Sequence, residues 1–242
     1  AMAMIFQEPM TALNPLMRVG KQVCEPIQWH TGRDADSAKM EALSWLSKVG
    51  LNEPDRVYQC YPHELSGGMR QRVVIAIALC LRPTLVIADE PTTALDVTVQ
   101  AQILRLLQGL QREVGMAVVL VTHDLGVVQE VADRVAVCYA GKIVETACAD
   151  ELFSDPQHPY TRGLLDSIPR LDRPLGPLPS ISGSPPGLQE LGEGCAFAPR
   201  CPQCFERCQQ DPPEVPIEGG RRSARCWLVE EAREGQLETS AR

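Results

Sequence analysis

The 242-residue sequence has no long apolar run: the longest, Val73 to Leu81, is nine residues, about half of the roughly 18 that a membrane-spanning helix needs. It also shows no positively charged leader followed by an apolar core and a small-residue cleavage site. No dense lysine or arginine stripe is present, and the net charge is −8. Neutralising phosphates needs a basic face, so this balance argues against a nucleic-acid partner. No internal repeat is visible. What remains is 44% apolar and 22% charged, the composition of an ordinary soluble globular chain, long enough for one large or two modest domains. A cytosolic chain fits best.

Ten cysteines would suggest disulfides in a small secreted protein, but in a reducing compartment grouped cysteines more often bind metal or pack. Cys24, Cys60, Cys80, Cys138 and Cys148 are scattered and read as packing residues, Cys80 and Cys138 because they lie in apolar stretches. The other five cluster between Cys195 and Cys226.

From Asp36 to Val49, apolar Met40, Leu43, Leu46 and Val49 recur every three residues, which reads as one helical face with Gly50 as a stop. Beyond Ser66 the pattern becomes α/β. A helix is expected from about Gly68 to Leu81, a strand at Thr84 to Ala88, and a helix at Val97 to Val114 carrying the stripe Val99, Ile103, Leu106, Leu110 and Val114. Gly115 closes that helix, and Met116 to Val121 suits a buried parallel strand. Arg134 to Tyr139 and Lys142 to Thr146 flank Ala140-Gly141 as a tight hairpin. From Pro156 prolines become frequent, so the boundary is placed near residue 154 and little regular structure is expected beyond it without a cross-link.

Two motifs carry chemistry: LSGGMRQR at Leu65 to Arg72 and LVIADEPTTALD at Leu85 to Asp96. Ser66, Gly67 and Gly68 stand just before a helix, where free N–H groups and the macrodipole favour an anion and glycines permit close backbone approach. Asp89 and Glu90 end an apolar strand, so both carboxylates fall at the C-terminal edge of a parallel sheet, where open α/β folds place ligands. His123 ends the strand MAVVLVT at the same edge. In isolation, S-G-G is more often a helix cap, an Asp-Glu pair is two solvated carboxylates, and a lone histidine is structural, as His63 and His158 are read here. The order of the motifs decides otherwise.

That order, Gln7, the signature, Asp89-Glu90, Asp96 and His123, resembles the nucleotide-binding domain of ABC transporters. The resemblance implies a partial P-loop NTPase of α/β class, with residues 1–154 as the ATPase part and a helical subdomain over about 10–65. It implies ATP and Mg²⁺ as cofactors, with Asp89 and Gln7 on the metal side and Glu90 orienting the attacking water. His123 would bond the γ-phosphate and that water. Ser66, Gly67, Gly68 and Gln71 of the signature would face nucleotide held by the opposite subunit of a dimer, and Asp96 would cross the interface. The family's G-x-x-x-x-G-K-S/T loop, whose N–H groups and lysine cradle the phosphates, does not occur in the sequence. Because the chain opens with AMAMIFQ, which reads as a strand under way, an N-terminal part is expected to be missing and this chain alone is expected not to hydrolyse ATP.

The segment from HPYTRGLL through P-R-C-P to the final C-W resembles the irregular, Cys-rich C-terminal extension (155–242) of peptide-importer ATPases of the dipeptide and oligopeptide class. Some members carry a [4Fe–4S] cluster on four such cysteines, here Cys195, Cys201, Cys208 and Cys226, separated by gaps of five, six and seventeen residues. Thiolates suit zinc as well, and Cys204, which departs from the pattern, makes a C-x-x-C pair with Cys201. Reduced or oxidised thiols without metal are the third reading. The resemblance implies an ATP-hydrolysing importer subunit, peripheral on the cytoplasmic face of the bacterial inner membrane. Its partners would be transmembrane permease subunits and a second ABC ATPase subunit, with an extracytoplasmic peptide-binding protein engaged indirectly. The alternatives are a non-transport ABC ATPase, opposed by the acidic balance and the extension, and a metal or redox module with a vestigial ATPase half.

Overall fold

The structure is a computed structural model that describes residues 1–93, 95–168, 179–217 and 220–240. Most of the proline-rich PRLDRPLGPLP segment, from 169 to 178, and position 94 of LVIADEPTTALD lie outside the described residues. The chain divides into two units, Ala1–His123 and Asp124–Arg242. No helix among the described residues is long and apolar enough to cross a membrane.

In the first unit, β1 (Met2–Ile5) is followed by the helices α1 (Pro9–Ala12), α2 (Val19–Thr31), α3 (Ala35–Lys48), α4 (Pro54–Gln59) and α5 (Gly67–Leu79). Then come β2 (Leu85–Asp89), α6 (Val97–Val114) and β3 (Ala117–Val121). The three strands form a parallel sheet in the order β1-β2-β3, with Met4 beside Ile87 and Ile87 beside Val119. This register aligns the strand ends, so Gln7, Asp89-Glu90 and His123 all leave the sheet at one edge. A single core joins Ile5, Val86 and Ala88 of the sheet to Trp45, Leu46, Val73, Ile75, Leu79 and Ile103 of the helices. The other sheet face is open where Met2, Met4, Val119 and Val121 remain 40% or more exposed. The strand expected to be buried at 116–121 is therefore half-buried on one face, at Val118 and Leu120, and exposed on the other.

Helix α6 has the expected bounds because both ends are specified locally. The Asp96 carboxylate accepts from the Val99 N–H at 2.9 Å, and Gly115 turns left-handed at φ 72°. Its buried stripe is Ile103, Leu104, Leu107 and Leu110, with Val99, Leu106 and Val114 at the margin. Helix α3 forms where expected, capped by Asp34, but turns a different face inward: Ala38, Ala42, Trp45 and Leu46 are buried while Met40 is 69% exposed. Each step of three residues falls about 60° short of a full turn, so a strict three-residue repeat spirals off any one face.

The second unit holds α7 (Leu125–Val131), β4 (Arg134–Tyr139), β5 (Lys142–Cys148), α8 (Ala149–Ser154), α9 (Pro159–Asp166), β6 (Val215–Ile217), β7 (Arg222–Ala224) and α10 (Trp227–Ser240). The hairpin β4-β5 turns at Ala140-Gly141, both at positive φ. The sheet is antiparallel in the order β4-β5-β7-β6. The region beyond 154 is thus more regular than its proline content suggests. The free edge of β5 supplies a ready hydrogen-bond ladder for β7, and short strands need little intrinsic propensity when one side is already formed. A small core of Val137, Tyr139, Val144, Ala147, Leu152 and Phe197 lies against it. Of the scattered cysteines, Cys24 and Cys80 are buried, Cys60 and Cys148 half-buried, and Cys138 is exposed, because alternate side chains of β4 point away from the core.

Candidate active site

Glu90 follows directly on β2, and its N–H donates to the Val121 carbonyl at 2.9 Å, which holds the turn against β3. Its φ is 42°, a left-handed conformation that costs a non-glycine residue of order 1 kcal/mol and aims the side chain away from the strand direction. The carboxylate is gripped from three directions. Oε2 accepts from Gln7 Nε2 at 2.8 Å and from Thr93 Oγ1 at 2.8 Å, while Oε1 lies 3.0 Å from His123 Nδ1. The hydrogen bonds from His123 and then Thr93 hold the Glu90 carboxyl below its ordinary range. An anionic carboxylate with fixed orientation and a remaining lone pair can align a water molecule and draw off its proton. The strand ends thus bring Gln7, Glu90 and His123 together across 116 residues of sequence. Thr93 joins them unforeseen. Its only signal was its place three residues after Glu90 in the turn, where a hydroxyl faces back on the strand end.

Asp89 closes β2 at the same edge. Asp96 spends its carboxylate on the cap of α6 and is exposed. Ser66 caps α5, its hydroxyl accepting from the Met69 N–H at 3.4 Å, so the first N–H groups of the signature helix are presented at one point. Gly68 is required by packing: a Cβ there would sit 2.7 Å from Val99 Cγ1 of α6. Gln71 does not join this end. It is 1% exposed and faces the interior, and neither amide atom has a hydrogen-bond partner among the described residues. The reason is helical phase, since Gln71 is one turn beyond Gly67 on the side of buried Val74 and Ile75.

In the second unit, Cys195, Cys201, Cys208 and Cys226 line one small cavity, together with His158 and Trp227. The Cys195 N–H donates to the Cys208 carbonyl at 3.0 Å, and Gly194 permits that approach, because a Cβ there would meet the Cys208 oxygen at 2.8 Å. Cys204 is exposed and outside the lining. All the cysteines are free thiols. Burial pushes the Cys201 thiol up to about 11 and raises Cys195 and Cys226 as well. The donor set has the chemistry of a thiolate site, but its geometry is not that of one. Among the described residues no group of three or more His, Cys, Asp or Glu side chains is arranged to hold a metal ion. The expected iron–sulfur or zinc centre is therefore not supported by the coordination geometry.

His158 is structural, as expected, and 1% exposed. Burial lowers its pKa to about 4 from 6.5. In the pH interval between those values the unfolded chain binds more protons than the folded one. Stability on the order of 3 kcal/mol is then fully present above pH 6.5 and lost as pH falls toward 4. Chemical denaturation of metal-free protein across that range checks this; the His158→Phe variant should lose the His158 part of the slope.

The parallel sheet with a carboxylate, a glutamine and a histidine on its C-terminal edge, next to a capped glycine-signature helix, defines an ATP-binding cassette ATPase. Residues 1–93 match the family described as ABC transporter, and residues 144–208 match the family described as oligopeptide/dipeptide transporter, C-terminal region. The chain is 49% identical to the oligopeptide transport ATP-binding protein AppD of Bacillus subtilis, over 95% of this chain and 70% of that one. It is 50% identical to the dipeptide transport ATP-binding protein DppD of the same organism, over 96% and 69%. It is also 50% identical to the oligopeptide transport ATP-binding protein OppD of Salmonella typhimurium, over 95% and 68%. Among solved structures, the ATP-binding cassette MJ0796, a dimer in a post-hydrolysis state bound to ADP and Pi, superposes with a TM-score of 0.54 at 32% identity, covering 61% of this chain and 62% of that one. The chain belongs to the ABC transporter ATP-binding proteins of the oligopeptide/dipeptide class.

Proposed function

We propose that this chain is the part of a peptide-importer ATPase that supplies the hydrolytic carboxylate and the signature helix, and that it works on the cytoplasmic face of the membrane bound to permease subunits. The observation that carries this reading is the grip of Gln7, Thr93 and His123 on Glu90, on a chain about half identical to peptide-transport ATP-binding proteins. Glu90 accepts the proton of the attacking water. His123, through its second ring nitrogen, reaches toward the terminal phosphate. Gln7 reports the state of that carboxylate to the helices α1 to α4 that follow it, and through them to the permease. Mg²⁺, when bound, would offset phosphate charge, and Asp89 and Gln7 would be the residues that hold it. The N–H groups of Ser66, Gly67 and Gly68 face nucleotide bound to a second ATPase subunit, and Asp96 lies at that dimer contact; Gln71 is assigned no ligand. These 242 residues contain no G-x-x-x-x-G-K-S/T sequence, so the test uses an assembly in which a phosphate loop is present. Co-purification with permease subunits and peptide-stimulated ATP hydrolysis of the assembly test the reading. Co-purification with nucleic acid or ribosomes instead would sink it.

For the second unit we propose a metal-holding role of the cysteine cavity on the make-up of its lining, not on its coordination geometry. Four free thiols brought from three separate segments line one space, and few other reasons place four unpaired cysteines together. Cys195, Cys201, Cys208 and Cys226 would hold the group, which would staple the extension. Anaerobically isolated protein is expected to contain iron and sulfide, to lose them on replacement of any of the four, and to keep them in Cys204→Ser. One zinc with no sulfide would exclude the cluster, and metal-free protein would exclude both.

A further inference from the structure

The two glycines of the signature differ in what surrounds them. A Cβ at Gly67 would lie 3.5 Å from Leu95 Cδ2, an ordinary van der Waals contact, and Gly67 is exposed. At Gly68, which is half-buried, the same Cβ would stand 2.7 Å from Val99 Cγ1, closer than side chains pack. Val99 belongs to the first turn of α6. It is β-branched, and in a helix such a side chain is held near one χ1 rotamer, so its methyl group cannot swing aside cheaply. Its backbone is fixed as well, because its N–H donates to the Asp96 carboxylate at 2.9 Å. Across the contact, Ser66 caps α5 by accepting from the Met69 N–H, and Met69 and Val99 both pack against the core of the first unit. One residue thus meets the signature backbone with its side chain and the Asp96 turn with its amide.

We infer that Val99 is a positioning residue for ATP hydrolysis: its side chain is the seat on which the Gly68 backbone rests, and its N–H ties that seat to Asp96. The signature and the Asp96 turn are thereby set relative to each other within one subunit. Val99 acts through the backbone of Gly68, not by touching nucleotide. The same contact gives glycine at position 68 a cause inside the chain, whereas no described residue excludes a methyl group at position 67. The inference rests on the reading that the signature and Asp96 face a second ATPase subunit.

A pair of compensating replacements tests this in the assembly that includes a phosphate loop. Gly68→Ala puts a methyl group against Val99 and is expected to lower ATP hydrolysis and ATP-dependent dimerisation about 10- to 100-fold, the range that one overpacked group costs. Val99→Ala removes the seat and should weaken both about 3- to 10-fold, as for the lost contacts of a half-buried valine. Gly68→Ala combined with Val99→Ala should return to within about threefold of Val99→Ala alone, because the added Cβ occupies the vacated space. Val99→Thr, which keeps the branched shape, should stay near wild type and give no rescue of Gly68→Ala. Nucleotide binding to the separated subunit is expected to be unchanged throughout. A fall in that binding parallel to the fall in hydrolysis would make the contact a matter of general folding and overturn the inference. A double variant as inactive as Gly68→Ala would place the demand for glycine at the ligand and overturn it too, as would Val99→Ala with wild-type dimerisation and turnover. Wild type that hydrolyses ATP without forming ATP-dependent dimers removes the second-subunit reading, while the rescue read on hydrolysis alone still decides the role of Val99.

Discussion

Glu90→Gln is expected to slow phosphate release by at least about 10²-fold in an assembly that includes the phosphate loop, with nucleotide binding retained. The amide preserves the shape and the contact with His123 Nδ1. It offers one oxygen where the carboxylate offered two, so with that oxygen kept toward His123 both donors on Oε2, Gln7 and Thr93, face an N–H₂ group. More important, it neither accepts a proton nor supplies negative charge to the attacking water. ATP-bound dimers should accumulate. Single-turnover measurement of phosphate release is the check, and release within about threefold of wild type would remove Glu90 from the hydrolytic step. Thr93→Val should show a smaller version of the same defect, because two other donors still orient the carboxylate.

The second large effect is on stability. Glu145, 1% exposed, accepts from the Gln157 and His158 N–H groups at 2.8 and 2.9 Å where the chain leaves the hairpin for α9. Glu145→Ala leaves two largely buried donors without partners and is expected to cost about 2–4 kcal/mol. Glu145→Gln, which keeps one acceptor, should cost about half as much. The change should appear as an earlier unfolding transition, with the thiols of Cys195, Cys208 and Cys226 becoming reactive in the same step. A melting temperature unchanged in the Ala variant would show that the carboxylate does not anchor this junction.

Legibility in the sequence followed how local the determinants are. The bounds of α6 were readable because Asp96 and Gly115 specify them within a turn of each end. Gln7, Glu90 and His123 were readable as a set because strands end in recognisable motifs and a parallel sheet aligns those ends. Thr93 was not, since a threonine in a turn has no motif of its own and acts only through a carboxylate set at positive φ. The inner face of α3 was misread because a repeat of three residues does not match the helical period, and the packing of Trp45 decided the phase. Gln71 carried a motif position but sits on the inward side of α5. Strands β6 and β7 have three residues each; β7 exists through pairing with β5, more than 70 residues earlier, and β6 through pairing with β7, and no local pattern reveals the β5 partner. The four cysteines were legible as a group from spacing, yet spacing says nothing of whether the thiols converge on one coordination point.

ATP-driven uptake of a labelled oligopeptide into proteoliposomes, with permease subunits and this ATPase assembled in the membrane, addresses the central claim most directly. Uptake should require hydrolysable ATP, stop when Glu90→Gln replaces the wild-type residue, and persist at reduced rate with Thr93→Val. Peptide uptake that continues undiminished with Glu90→Gln, or an assembly that hydrolyses ATP without any response to peptide, would contradict it.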